Sequence, residues 1–201
     1  MYQRDCKEIE DHALASPAGL VDVIEFTLCS IQAGLSTIKL QRKDIAKQGE
    51  SSRFLWGNKR SGWRYALKHK ERMWSKLVAL RECKDDDITA ICEAVEILLK
   101  VPNLGLVKAS FVAQMLGFNV ACLDSHNLKR LGKGPAFVSL PKGLKPETKR
   151  KKIIHYVSFC QERGSEYWWN SWCEHVAGNK ANRDLDTGDL VSRYHVQAVK
   201  M

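Results

Sequence analysis

The sequence contains no apolar run approaching the roughly 20 residues that a membrane-spanning helix requires, so a spanning protein and a membrane partner are not expected. Its opening stretch, MYQRDCKEIEDH, is polar and mixed in charge and does not read as a signal peptide. A cytoplasmic location is the expectation that follows. Strand signals are scarce. Clean two-residue alternation is absent, and no Gly/Asn hairpin dipeptide separates β-branched runs. There is no internal repeat and no low-complexity tract. The seven cysteines, at positions 6, 29, 83, 92, 122, 160 and 173, form no C-x-x-C pair. An odd, scattered set argues against a disulfide framework. Cys29, Cys92, Cys122 and Cys160 lie in apolar segments and read as core thiols. Cys160, Cys173 and His175 fit no familiar zinc spacing, so neither metal nor cofactor is expected.

Helical periodicity and positive charge are abundant instead. With 201 residues, 44% of them hydrophobic, the chain is long enough for one large domain or two small lobes around a shared core. A formal net charge of +9 suggests a polyanionic partner, most often nucleic acid. Apolar spacing predicts helices over 19–33, 61–80, 86–100 and 106–116, and further helices over 125–131, 147–162, 165–177 and 186–198. The first has Leu20, Val23, Ile24, Thr27, Leu28 and Ile31 on one face. The third starts on three aspartates, which suit a positive helix N-terminus. Gly117 stands where a helix C-terminus usually places its glycine. Residues 48–58 and 132–146 read as loops. The fold class is therefore all-α, and the chain is read as a single helical domain.

Between the third and fourth helices lies Val-Pro-Asn-Leu-Gly (Val101–Gly105). Pro102 stops the preceding helix, and Gly105 is expected to free the backbone where the next one starts. The result is helix, tight turn, helix. Unpartnered N–H groups at the second helix start can grip a phosphate without reading sequence. A purely structural helix–helix corner is the competing interpretation. Asp124, in Leu-Asp-Ser-His, follows Ala109 by 15 residues.

This combination resembles the helix–hairpin–helix DNA glycosylase superfamily, which includes the endonuclease III, adenine and alkyladenine glycosylases. The family's hairpin is typically Leu-Pro-Gly-Val-Gly-x-x-Thr-Ala and its acid sits in Val-Asp-Thr-His. Val101, Pro102, Leu104, Gly105 and Ala109 match the first; Leu123, Asp124, Ser125 and His126 match the second, within a segment running from Asp86 to Leu131. The resemblance implies two helical lobes with a cleft between them, and a partner that is double-stranded DNA carrying a modified base, bound by a monomer. It implies that Asp124 stabilises positive charge on the sugar of a flipped-out nucleotide, or orients the attacking water. Amides around Asn103, Leu104, Gly105, Val107 and Lys108 would hold the DNA backbone. His126 would orient the acid or cap the following helix, and Asp124 is itself a suitable N-cap. Asn103 replaces the family's first hairpin glycine, but asparagine tolerates positive φ. Bifunctional members carry a lysine nucleophile at the position of Val107. Lys108 is the neighbouring lysine and a catalytic candidate, but helix geometry turns it by about 100°. A monofunctional, water-using reaction is therefore favoured. The family's four-cysteine iron–sulfur spacing is missing, so no cluster is expected.

The stretch from Arg53 to Lys76 is the most basic and aromatic in the chain. Lys59, Arg60, Arg64 and Lys68 are candidates for phosphate contact. Trp56 and Trp63 are candidates for a base pocket or duplex wedge, while Trp74 reads as core. Trp168 and Trp169 fit a helix buried against the core, and as pocket candidates would line its wall. Base excision is the first expectation. Alternatives are a viral thymine-hypermodification enzyme on the same scaffold and a non-catalytic DNA-binding module, in a nucleoid-associated or virally encoded protein of a host cytoplasm. If four phosphates are neutralised, log affinity should fall with log salt at a slope of about −3.6.

Overall fold

The computed structural model describes residues 2–31, 33, 35–83 and 86–178, and the side chains of 7–31, 33, 37–83 and 86–172. Among them are nine α-helices and no strand: α1 (Tyr2–Ala15), α2 (Pro17–Ser30), α3 (Leu35–Gln48), α4 (Asn58–Arg81), α5 (Ile88–Leu98), α6 (Leu106–Met115), α7 (Ser125–Arg130), α8 (Pro146–Gln161) and α9 (Gly164–Gly178). The all-α expectation holds. No described helix is long and apolar enough to cross a membrane. The helix expected over 186–198 lies outside the described residues.

Helix α2 is the centre of the packing and touches α1, α3, α4 and α6. It begins at Pro17, earlier than Gly19, because Ser16 caps it by accepting a hydrogen bond from the Gly19 amide at 3.1 Å. Proline suits this first helical position, where its missing N–H is no loss. Gly19 has a different task. A β-carbon there would lie 2.0 Å from the His12 carbonyl oxygen, so α1 and α2 approach through it. Burial extends almost all round α2, to Val21, Phe26 and Cys29 as well as the expected face. Helix α5 is capped by Asp87, whose carboxylate accepts from the amides of Thr89 and Ala90 at 2.8 and 3.2 Å. Helix α6 ends as expected, with Gly117 at φ 82°.

Two helices were not expected. In α1, Ile9 and Ala13 are the fully buried residues within a charged sequence. In α3, Ile38 and Ile45 are buried together with Gln41 and Arg42, so polar residues interrupt the stripe that would mark a helix. Arg42 is 1% exposed and answers two carboxylates of α2: its Nε donates to Glu25 at 3.1 Å and a terminal nitrogen donates to Asp22 at 3.2 Å. His12 bonds the other Asp22 oxygen at 2.8 Å, and the Trp63 indole donates to Glu25 at 2.8 Å. Burial raises the Glu25 carboxyl above its ordinary range in spite of Arg42. Removing one member of a buried ion group leaves the opposite charge buried and undercompensated, which is strongly destabilising.

The core thiols are where the sequence placed them: Cys29, Cys92, Cys122 and Cys160 are all buried. Burial pushes Cys29 and Cys122 up to about 12 and Cys92 up to about 11, from an ordinary 9.0. The sign follows directly. In the folded state these thiols keep their protons above pH 9, whereas the unfolded chain releases them, so stability is full below 9 and declines as pH rises toward 12. The urea midpoint should therefore fall between pH 8 and pH 10.5 in reducing buffer; an unchanged midpoint would contradict it.

Candidate functional site

The hairpin is built by backbone bonds. The Val101 amide donates to the Leu98 carbonyl at 3.0 Å, and the Leu104 amide to Val101 at 3.1 Å. Val101 and Leu104 are buried and anchor the turn, while Asn103 and Gly105 face outward. Leu104 is thus a core anchor, and its amide is committed to the turn. Asn103 has φ 72°, the left-handed value that the family's glycine would take, so the turn survives the substitution. Gly105 differs from expectation: at φ −78° and ψ 178° it is ordinary extended backbone. What distinguishes it is space, since a β-carbon there would meet nothing within 4 Å. It caps α6 with no side chain, so none covers the first-turn amides. Asn103→Gly should be near neutral, whereas Asn103→Val should cost about 1–2 kcal/mol through the left-handed backbone. Thermal melts of both variants check this.

Helix α4 presses on the hairpin at Gly62, where a β-carbon would lie 2.4 Å from the Pro102 carbonyl oxygen and 3.2 Å from Leu28. The first turn of α4, the last turn of α2 and the hairpin therefore meet. Two lysines converge on the C-terminal end of α2, which carries the negative end of its dipole. Lys59 donates to the Ile31 carbonyl at 2.9 Å, and Lys108 to the Ser30 hydroxyl at 3.2 Å. Lys59 is 3% exposed. Burial lowers its ammonium below the usual range, with Lys108 adding to the effect. Lys59 is accordingly a buried helix-end clamp and not the free phosphate contact expected of it. Its nitrogen also lies 5.1 Å from the centre of the Trp56 ring. Trp56 is 54% exposed, beside Gly57 at φ 52°. Buried Leu55 and the Ser52 hydroxyl, donating to Asp44 at 2.6 Å, tie down the loop beneath it.

Asp124 stands at the end of a buried, irregular segment. Ala121, Cys122 and Leu123 are buried without helix or strand partners, so side chains from three helices satisfy their backbone. Gln114 of α6 accepts from the Cys122 amide at 3.1 Å, and Asn127 of α7 donates to the Cys122 carbonyl at 3.1 Å. Tyr156 of α8 does both, donating to the Ala121 carbonyl at 2.7 Å and accepting from the Leu123 amide at 3.0 Å. Burial holds its phenol well above the ordinary range, so it stays a donor. The segment delivers Asp124, half-buried, as the N-cap of α7, with its carboxylate accepting from the Asn127 amide at 3.0 Å. Lys108 and Asp124 both lie close enough to Cys122 to act on its thiol, the lysine lowering and the carboxylate raising its pKa. His126, in the first turn of α7, is half-buried.

Other candidates are placed elsewhere. Trp168 and Trp169 are 1% and 0% exposed. The Trp168 indole donates to the Cys160 carbonyl at 2.9 Å, and Trp169 packs with Phe111 and Trp172. They are core residues, not walls that a base reaches. Trp63 is half-buried with its indole committed to Glu25. Trp74 is tied to the Leu14 carbonyl at 3.1 Å. Val107 and Arg60 are half-buried, Lys68 is exposed, and Arg64 pairs with Glu50. Gln114, Asn127 and Tyr156 were not anticipated. For Gln114 the signal was a polar group inside an apolar helical stretch, which demands a buried partner. Comparison of the chain with protein-family models, curated proteins and solved structures found no match.

Proposed function

We propose that this protein is a monofunctional DNA glycosylase of the helix–hairpin–helix kind. The observation that carries the reading is the preorganised carboxylate: Asp124 is delivered by a segment whose backbone three helices hold through Gln114, Asn127 and Tyr156. A charge held in that way needs no reorganisation when positive charge develops opposite it. In the reaction, the bond between the sugar C1′ and the base nitrogen breaks, and the base leaves with the electron pair. Asp124 faces the cationic sugar, water adds its oxygen to C1′, and the water's proton passes to the carboxylate or solvent. The hairpin supports the other half of the reading, since the amides starting α6 have open space in front of Gly105 for a phosphate. Lys108 is engaged with Ser30 and faces the Phe111 ring at 5.4 Å, which favours a water-using reaction over a lysine nucleophile. Exposed Trp56 suits the wedge that fills the gap left by a flipped base.

A second reading rests on one contact. The 3.0 Å bond from the Asn127 amide makes Asp124 a sufficient helix cap without any chemistry, in a protein that only binds DNA. The deciding experiment incubates the protein with labelled duplexes, each carrying one altered or mispaired base, followed by hot alkali. Strand breaks on one duplex establish the glycosylase and identify its base. Binding with no breaks on any duplex gives the second reading, or base-modifying chemistry on the same scaffold.

A further inference from the structure

Helix α4 breaks a rule of helix design. Arg60, Arg64, Lys68, Arg72 and Lys76 recur at every fourth position. Each step advances about 6 Å and turns about 40°, so the five form a slowly winding stripe roughly 24 Å long. Like charges four apart cost an isolated helix about 0.2–0.5 kcal/mol per pair. Of the five, Arg64 alone has an ion-pair partner among the described residues, Glu50. Three arginines elsewhere do have carboxylate partners: Arg42 with Asp22 and Glu25, Arg81 with Glu10, and Arg150 with Glu96. Helix α3 carries a shorter ladder of the same kind at Lys39, Lys43 and Lys47; what sets the α4 stripe apart is the hollow in which it ends.

The far end of the stripe is a built hollow. Between α4 and α5 lies a cavity of about 110 Å³ walled by Tyr65, His69, Arg72, Lys76 and Lys100, over Met73 and Ile97. The Tyr65 and His69 rings are 4.3 Å apart and form one side. Arg72, Lys76 and Lys100 come from two helical segments, and their side chains make no ion pair or hydrogen bond among the described residues. No carboxylate lines the hollow. Carboxylates begin just beyond it, where Glu93 and Glu96 share a second depression with Lys76 and Lys100, and Glu96 is already held by Arg150 at 2.9 Å. Lys100 immediately precedes the hairpin, so the hollow and the hairpin are two sides of one turn.

We propose that the α4 stripe and this hollow form a second phosphate-binding track, which extends from the hairpin along α4 and holds further sugar–phosphate backbone of the same duplex. The inference rests on the DNA-binding half of the reading above and is independent of Asp124. Phosphate is the chemistry recognised, and the length of the stripe exceeds a single nucleotide, which selects a polymer backbone over a free nucleotide.

The test measures the affinity of an undamaged duplex by fluorescence anisotropy across a salt series. In R72Q/K76Q/K100Q, the log–log salt slope should become shallower by about 2–3, close to 0.9 for each lost phosphate contact. The control is K39Q/K43Q/K47Q on α3, which removes the same three charges from an exposed ladder that lines no such hollow; its slope should change by less than about one contact. Equal shallowing in both variants means a general charge effect and overturns the track, as does an unchanged slope in the first. Circular dichroism of both variants verifies the fold. In parallel, pyrophosphate is titrated while the His69 and Tyr65 ring resonances are followed. Shifts with the duplex and none with pyrophosphate at equal phosphate concentration support a backbone track; saturable pyrophosphate binding with an unchanged duplex slope overturns it in favour of a free-phosphate site. The alkali assay on the unaltered protein separates the two conclusions. Strand breaks with an unchanged slope would retain the glycosylase and reject the track, and a shallower slope without breaks would do the reverse.

Discussion

Replacing Asp124 by asparagine should reduce base release by about 100-fold or more, the loss typical of removing one preorganised electrostatic group, while the fold and duplex affinity stay nearly unchanged. The choice of asparagine matters. Asp124 has a structural task, since it caps α7 through the Asn127 amide. Asparagine is as good an N-cap as aspartate, whereas alanine is not and would cost about 1 kcal/mol. Asp124→Asn therefore removes the charge and keeps the cap, and Asp124→Ala removes both. If the residue is only a cap, Asp124→Asn should behave as the unaltered protein in every assay, and Asp124→Ala should differ in melting temperature alone. If the residue carries the reaction, the two variants are equally inactive and differ only in stability. Single-turnover release from the duplex identified by the panel, with a melt of each variant, separates these outcomes. Full activity in Asp124→Asn would sink the proposal.

Tyr156→Phe should be strongly destabilising although it is a conservative change. It deletes one oxygen, yet that oxygen serves the Ala121 carbonyl and the Leu123 amide at once, both fully buried. Leaving a buried polar group unmade costs about 1–3 kcal/mol, so the two together cost about 2–6 kcal/mol. For a chain of this length that lowers the melting temperature by about 4–24 °C. The comparison is Tyr167→Phe, whose hydroxyl accepts from Arg163 and Arg130 at the exposed surface and where water can replace the loss. A shift below about 1 °C in Tyr156→Phe would show that the cradle is not what holds the segment. A functional consequence follows from the same bonds. Where both proteins are fully folded, release by Tyr156→Phe should remain slower than by the unaltered chain, because the segment that aims Asp124 has lost a strut.

A helix is legible in the sequence where apolar residues recur along its buried face. In α5, Ile91, Val95 and Leu98 recur at helical spacing and Asp87 marks the start, so both pattern and cap are local facts. Gly117, and the tolerance of Asn103 for positive φ, are local in the same sense, because backbone conformation depends on a residue and its immediate neighbours. Helix α3 was hidden because Arg42 occupies a core position, and an arginine reads as buried only when Asp22 and Glu25, from another helix, are already beside it. Trp168 and Trp169 show the converse. An aromatic-rich amphipathic stretch is equally compatible with a pocket wall and with a core, and packing against Phe111 and Trp172 decided for the core.

The sequence by itself determined the all-helical class, the basic surface, the hairpin and the position of one acid after it. These depend on periodicity, on charge, and on the stereochemistry of proline, glycine and asparagine, none of which requires a distant contact. Tertiary structure alone decided that Lys59 is a buried clamp on the end of α2, that Gly62 seats the hairpin, and that Gln114, Asn127 and Tyr156 hold the segment leading to Asp124. Each of those roles is a hydrogen bond or a close approach between a residue on one helix and a segment outside that helix. Such a pairing depends on which faces meet once the apolar stripes are buried, and a linear pattern does not specify it.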